Sequence, residues 1–354
     1  MVQVAPSISV TLGEEFGYEP GQDVTPKLVT ALRRLGFEAV FDTVFGADLT
    51  IMEEANELVK RIKEGKPLPM ISTCSPGWIK FMEHEFPDLI RNMSTCKSPM
   101  SMEGAIIKSF WAHQKGIDPK TICHVAIMPC MAKKFEAERV ELVNDGLPNT
   151  DIVLTTRELI RLLTTAGIDL KKLPDGEYDN PLGESTGAGK IFGATGGVME
   201  AALRTAYWLV NKKPLNDLDI KVIRGLDGIK KATIEITSDL KLNCVALSGL
   251  KNARKICDEI REGNPNNYQF IEIMACPGGC INGGGQPRGM TREILEKRAA
   301  ALYSLDQKYG KRCSHENESV QKLYATFLKD LGSHEAHHLL HTRYYPRKIT
   351  EEDQ

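Results

Sequence analysis

The chain has 354 residues, 42% of them apolar and 26% charged, with a formal net charge of −2. That length is too great for one simple core and suits two lobes, while the near-neutral charge gives no reason to expect nucleic acid or an anionic membrane as a partner. No apolar run reaches the ~18 residues that a membrane span needs, and the start Met1-Val2-Gln3-Val4-Ala5-Pro6 lacks the basic and long apolar regions of a signal peptide, so a cytoplasmic protein is expected.

Thr25-Pro26 reads as an N-cap followed by proline at the first helical position, opening a helix that ends near Gly36. Residues 38–41 read as a short strand. Residues 48–63 read as an amphipathic helix with Ile51, Ala55, Leu58, Val59 and Ile62 on one face, followed by a buried strand at 68–72. Further strands are predicted at 123–128, 151–155, 219–224, 245–247 and 270–274. Helices are predicted at 101–115, 157–166, 196–211, 250–262, 291–304 and 317–331. Segment 172–190, rich in Gly, Pro and Asp, reads as a loop or a lobe connection. The pattern predicts an α/β fold of two lobes, with mixed β-sheets flanked by helices and function beyond the strand ends.

Nine cysteines, an odd number with no export signal, argue against a disulfide framework. Four of them have telling surroundings. Ser72-Thr73-Cys74-Ser75-Pro76-Gly77-Trp78 leaves a predicted strand and enters a helix, where the helix dipole favours anionic sulfur; a buried structural Cys at a helix start would carry the same pattern. Met128-Pro129-Cys130-Met131-Ala132-Lys133 also joins a strand to a helix, and Lys133 shares a helix face with Cys130. The strongest signal is Glu272-Ile273-Met274-Ala275-Cys276-Pro277-Gly278-Gly279-Cys280-Ile281-Asn282-Gly283-Gly284-Gly285-Gln286-Pro287. Its glycines let backbone approach a bulky group and aim N–H groups at it. The spacing of Cys276 and Cys280 is not that of a zinc ribbon. Soft thiolates at 130, 276 and 280, with a further ligand near 74 or 75, suit an iron–sulfur cluster better than zinc or a hard cation. Ligands drawn from distant segments imply a cluster buried in the cleft between lobes.

Together these three motifs resemble the active-site signatures of [FeFe]-hydrogenases: Thr-Ser-Cys-Cys-Pro-x-Trp, Met-Pro-Cys-x-x-Lys-x-x-Glu and Glu-x-Met-Ala-Cys-x-x-Gly-Cys-x-x-Gly-Gly-Gly-Gln-Pro. The likeness extends to Ala5-Pro6-Ser7, to Met52-Glu53-Glu54-Ala55-Asn56-Glu57, to the segment from Phe192 to Glu200 and to Ser314-His315-Glu316-Asn317. The resemblance implies an H-cluster, a [4Fe–4S] cubane joined through one cysteine to a di-iron unit with CO, cyanide and a bridging dithiolate amine. By motif position it implies Cys130, Cys276 and Cys280 as cubane ligands, with Cys280 as the bridge. It implies Lys133 bonded to a cyanide, and Pro6, Ser7, Met128, Phe192 and Met274 around the di-iron unit. The implied proton path runs from Cys74 through Glu54, Ser94 and Glu57 to Arg61 near the surface. Positions 54, 57 and 61 form one helix stripe, which a salt-bridged surface face would equally produce. H2 and protons are the implied substrates, ferredoxin or an electron-transfer subunit the implied electron partner, and maturation proteins the implied source of the di-iron unit. The implied layout is a single catalytic domain over 1–354, with a C-terminal helical segment from about 291 and no N-terminal ferredoxin-like domain.

One position departs from the pattern. Where the family has its fourth cubane cysteine, this chain has Ser75, a harder and far less acidic ligand. Ser75 ligating as an alkoxide, Cys74 moving in as the ligand, and an open iron corner all remain open. An active hydrogenase, a sensory or impaired relative, and a Narf-like iron–sulfur protein without the di-iron unit are the competing readings. Met128, Lys133 and Met274 speak against the last. Cys96, Cys123, Cys244, Cys257 and Cys313 read as structural thiols, and His334, His337, His338 and His341 as a solvated helix face.

Overall fold

The computed structural model of the protein describes residues 1–347. The last residues of the C-terminal segment predicted from 291 onward therefore lie outside the described part. Ten strands are described: β1 (Val2–Val4), β2 (Val40–Asp42), β3 (Met70–Ile71), β4 (Val125–Met128), β5 (Val143–Asn144), β6 (Leu147–Pro148), β7 (Ile152–Thr155), β8 (Ile229–Thr237), β9 (Leu240–Ser248) and β10 (Tyr268–Met274). They form one sheet of order β2-β1-β4-β7, a second of order β3-β10-β9-β8, and the small hairpin β5-β6. The first sheet is wholly parallel, with Val2 opposite both Val40 and Val125. The second is mixed, because β8 and β9 are an antiparallel hairpin while β3 and β9 run parallel to β10. The two-lobed α/β prediction stands.

Parallel strands are buried on both faces and read as apolar runs. Val125–Met128 does so, and Phe270–Met274 does so except for Glu272, with no residue of either more than 7% exposed. Between the lobes lies the helix Val44–Glu64, packed on the helices Gly197–Asn211 and Pro99–Ile106. Buried Asp48 on this helix accepts from Thr186, Ser314 and Asn317, which anchors the 314–317 turn. Among the described residues no helix is long and apolar enough to cross a membrane.

Several predicted elements are corrected. Residues 219–224 form no strand; the stretch contains a single 3-10 turn, Lys221–Ile223. Strand β8 carries paired lysines, and Lys230 breaks the outward-polar alternation by pointing inward to donate to Thr195 O and Gly225 O at 2.8 and 2.9 Å. Strand β1 is too short for a periodic signal. Thr25 and Pro26 are the first two helical residues, with Val24 as N-cap. The long helix begins at Val44 rather than 48, because the buried residues of its first turn carry no polar alternation. The helix predicted at 101–115 starts at Pro99 and contains a π-turn, Ile107–Trp111. The one predicted at 317–331 ends as a π-turn, Tyr324–Leu328, before Lys329 at φ 67°.

Gly46 marks a close crossing with the helix Pro99–Ile106: a Cβ there would meet Pro99 O at 2.3 Å and Glu103 Cβ at 3.0 Å. Gly46→Ala should lower unfolding free energy in urea by about 1–3 kcal/mol, the usual cost of overpacking. Gly310→Ala, with nothing within 4 Å, should stay within about 0.5 kcal/mol.

Candidate active site

The C-terminal ends of β1, β3, β4 and β10 face one cavity of about 280 Å³ between the sheets. Ligand sites beyond the carboxyl ends of strands are the rule in open α/β sheets.

After β3 the chain extends to Ser75, the N-cap of the helix Pro76–Glu85, with Pro76 at its first turn as the sequence suggests. The Ser75 hydroxyl does not cap that helix. It accepts from Ala275 N at 3.2 Å, beside Cys276. After β4, Pro129 leads to Cys130 and the helix Ala132–Ala137. After β10, Gly278 and Gly279 take φ of 80° and 97°, and Gly279 N closes a turn on Cys276 O at 3.0 Å. Left-handed backbone at this turn needs glycine. The later glycines dock the two motifs together. Gly285 N donates to Pro129 O at 2.7 Å, and a Cβ on Gly283 would sit 2.3 Å from that oxygen. Gln286 then spans the seam, donating to Cys280 O at 3.1 Å and Ser7 Oγ at 3.4 Å and accepting from Thr11 and Thr156.

The cavity wall brings together Cys74, Ser75, Cys130, Cys276 and Cys280 with Pro6, Ser7, Met128, Lys133, Phe192 and Met274, every pocket position the sequence predicted. Burial, then Cys130 and Cys276, push the Cys280 thiol up to about 12. Burial raises Cys130 while Lys133 pulls it down. Cys74 is likewise raised well above the usual thiol value, through burial, Glu54, Glu272 and Cys280 in turn. Lys133 is ion-paired with Glu136 at 2.7 Å, and Glu136 in turn accepts from Ser98 and Ser101.

The acidic stripe is buried rather than a surface face. Glu54 is 1% exposed and its Oε2 has no hydrogen-bond partner. Burial, then the charges of Glu57 and Glu272, raise its carboxyl from 4.5 to about 8. Ser94 donates to Glu57 Oε2 at 2.8 Å, and Arg61 pairs with Glu57 Oε1 at 2.7 Å. Arg61 itself is 7% exposed and locked to backbone oxygens of Asn92 and Met93, so its expected place near the surface is corrected.

Sequence reasoning gave no role to Glu272, whose buried carboxylate accepts from Gly196 N and Met199 N at 2.6 and 2.8 Å and fixes β10 to the start of the helix Gly197–Asn211. It stood inside a quoted motif, so a signal was present. The histidine cluster is corrected in part. His334, His337 and His338 are exposed, but the His341 side chain is only 7% exposed and bonds Glu53 Oε2 at 3.0 Å and Thr95 Oγ1 at 2.8 Å. Of the thiols read as structural, Cys96, Cys244, Cys257 and Cys313 are buried, whereas Cys123 is exposed.

Comparison with known proteins agrees with this arrangement. Residues 1–284 match the family described as iron only hydrogenase large subunit, C-terminal domain, and residues 292–347 match iron hydrogenase small subunit. The chain is 47% identical to the NADP-reducing hydrogenase subunit HndD of Solidesulfovibrio fructosivorans and 46% identical to iron hydrogenase 1 of Clostridium pasteurianum, over 98% and 97% of its length. It spans 60% of the length of each of these relatives. A variant of the [FeFe]-hydrogenase HydA1 from Chlamydomonas reinhardtii superposes with a TM-score of 0.86 at 44% identity, covering 98% of this chain and 94% of that one. Protein NAR1 of Arabidopsis thaliana is 32% identical over 98% of the chain and 78% of its own length. The chain belongs to the iron-only hydrogenase family.

Because the folded pKa of Glu54 lies above its unfolded value, its contribution to stability is fully present below pH 4.5 and is lost as pH rises toward about 8. Urea titrations of the metal-free protein should show stability falling across that window, and Glu54→Gln should flatten the fall. An unchanged pH slope in the variant would place the carboxyl's proton elsewhere.

Proposed function

We propose that the chain acts as an [FeFe]-hydrogenase, catalysing reversible reduction of protons to H2 with electrons from a cytoplasmic ferredoxin or a similar low-potential donor, and that 1–354 works as one catalytic domain. The observation that carries this reading is the meeting of cysteine thiols in an enclosed cavity with a buried acid line that leads to it. Thiols gathered where burial and mutual repulsion raise their pKa values cannot stay anionic alone, so a multivalent cationic group is the partner that fits them. The thioether and apolar walls at Met128, Met274, Phe192 and Pro6 suit a dry, polarisable occupant.

Cys130, Cys276 and Cys280 would hold a [4Fe–4S] cubane, with Ser75 at the fourth corner and Cys280 bridging to the di-iron unit that maturation proteins deliver. When bound, this H-cluster would supply a route for the donor's electrons and the metal site for H2 chemistry. Lys133, ion-paired with Glu136, has donors left for an anionic ligand such as cyanide. Ser7 adds a polar contact, while Pro6, Met128, Phe192 and Met274 exclude bulk water. Cys74, at the junction of the cavity and the acid line, hands its thiol proton inward and regains one from Glu54. The carboxyl of Glu54, near neutrality in its pKa, is suited to both giving and taking a proton at pH 7. Ser94 relays between Glu54 and Glu57, and Arg61 holds Glu57 in place.

Ser75 favours a second reading, a sensory or impaired hydrogenase whose altered cubane ligation limits turnover. Infrared spectra of anaerobically matured protein, with H2 evolution from reduced methyl viologen, separate the two. CO and cyanide bands with turnover support the enzyme; bands without turnover support the second reading; matured protein holding iron but without bands contradicts both. Cys74→Ala should keep the bands and cut turnover by about 100-fold or more, the scale of a lost positioned proton carrier. Ser75→Cys should raise both turnover and the cubane reduction potential, read by electrochemical titration.

A further inference from the structure

The acid line needs an entrance. Arg61 cannot serve as one, since a guanidinium stays protonated at any working pH. Its nitrogens are also committed, to Glu57 Oε1 and to the backbone oxygens of Pro67, Arg91, Asn92 and Met93. Arg61 is a clamp on Glu57.

A second connection leaves Glu57 on its other oxygen. The Thr95 hydroxyl lies 3.3 Å from Glu57 Oε2 and 2.8 Å from His341 Nδ1. His341 Nε2 meets Glu53 Oε2 at 3.0 Å, and the His337 ring lies 4.1 Å from the His341 ring. These groups border a cavity of about 320 Å³, separate from the thiol cavity and walled by Glu57, Lys60, Arg61, His337 and His341. His341 is held in register by backbone pairing: Lys97 N donates to Leu340 O at 2.9 Å and Thr342 N to Thr95 O at 2.8 Å. The residue therefore comes from the segment that matches the small-subunit family, zipped onto the strand-like stretch that follows Ser94.

We propose that His341, wired through Thr95 to Glu57, is the proton-collecting entrance of the relay. This rests on the hydrogenase reading and extends it. Imidazole is the side chain whose ordinary pKa lets it load and unload protons between pH 5 and 8. The groups facing it are Glu53, Glu57 and Lys60 from the helix Val44–Glu64, Cys96 from the segment after Ser94, and His337 from its own helix, with Tyr324 bonded behind Glu53 at 2.6 Å. Burial works against the Glu53 carboxylate, but its bonds from His341, Tyr324 and Gly332 outweigh that and hold its pKa below the usual value. A carboxylate therefore stands behind the ring, in contact with its Nε2. In one passage the imidazolium Nδ1–H donates to Thr95 Oγ1 while the Thr95 hydroxyl proton moves to Glu57 Oε2. The neutral ring is restored to imidazolium by one proton from a hydronium in the cavity, which leaves as water, while the Thr95 hydroxyl rotates its new proton back toward Glu57 Oε2. One proton enters, one leaves, and no electron moves.

Two measurements test this. In 15N-histidine NMR of the full chain, with the signal assigned by its loss in His341→Gln, the titration midpoint of His341 should drop in Glu57→Gln. An unchanged midpoint overturns the connection whether or not the chain makes H2. In matured enzyme, His341→Gln and Thr95→Val should each lower H2 evolution about tenfold at alkaline pH, with the loss shrinking toward acid pH, intact CO and cyanide bands, and recovery in Thr95→Ser. Wild-type rates and an unchanged pH profile in His341→Gln would overturn the entrance. Absence of turnover in the unmutated matured chain would overturn the hydrogenase reading instead, and the NMR coupling would still decide the connection.

Discussion

Anionic sulfur is expensive to hold out of water, and the centre of this molecule is arranged around that cost. Cys130 and Cys280 have thiols raised by burial, and Cys280 is raised further by its neighbours Cys130 and Cys276. Without a cationic partner the group stays protonated. With one, the same burial strengthens every metal–sulfur and hydrogen-bond contact. The fold brings the thiols together by ending parallel strands from two separate sheets on a common seam. It fixes the seam with backbone contacts, through Gly285 N on Pro129 O and the glycine turn between Cys276 and Cys280, and with the Gln286 side chain.

The carboxylates around that seam differ in how fully they are hydrogen-bonded. Glu272, with two backbone N–H donors, and Glu136, with Lys133, Ser98 and Ser101, are fully engaged and act as braces. Glu54 is left with an unpartnered oxygen on the same side of the cavity. A buried carboxyl that lacks compensation stores its proton. Low compensation at one position and dense compensation at its neighbours thus distinguish Glu54 from the carboxylates that brace it. The C-terminal segment belongs to the same design. Its 314–317 turn is bound to Asp48, and Arg204 ties Glu200 to Asp306 of the helix Arg292–Lys308 with all three fully buried. The segment that matches the small subunit is therefore built into the same core as the thiol cavity, and it delivers His341 to the outer acids.

Much of this could be read from the chain. Cysteines beside strand ends, with glycine and proline at set offsets, report a local backbone need, so the thiol cavity was legible residue by residue. The stripe at 54, 57 and 61 was legible as a stripe, but its burial was not, because helical spacing is the same for a solvated face. Pairings across long separations left no local trace. Thr95 meets His341 through register between segments 246 residues apart. Strands β1 and β8 were missed because one is three residues long and the other hides a lysine on its inner face.

The central claim is that Cys130, Cys276 and Cys280 together hold an iron–sulfur cluster between the lobes. Anomalous diffraction at the iron edge from crystals of anaerobically matured protein tests it most directly. The account predicts iron peaks at bonding distance from Sγ of all three cysteines, with a further peak facing Ser75. Iron bound elsewhere in the chain, with these sulfurs unligated, would contradict it.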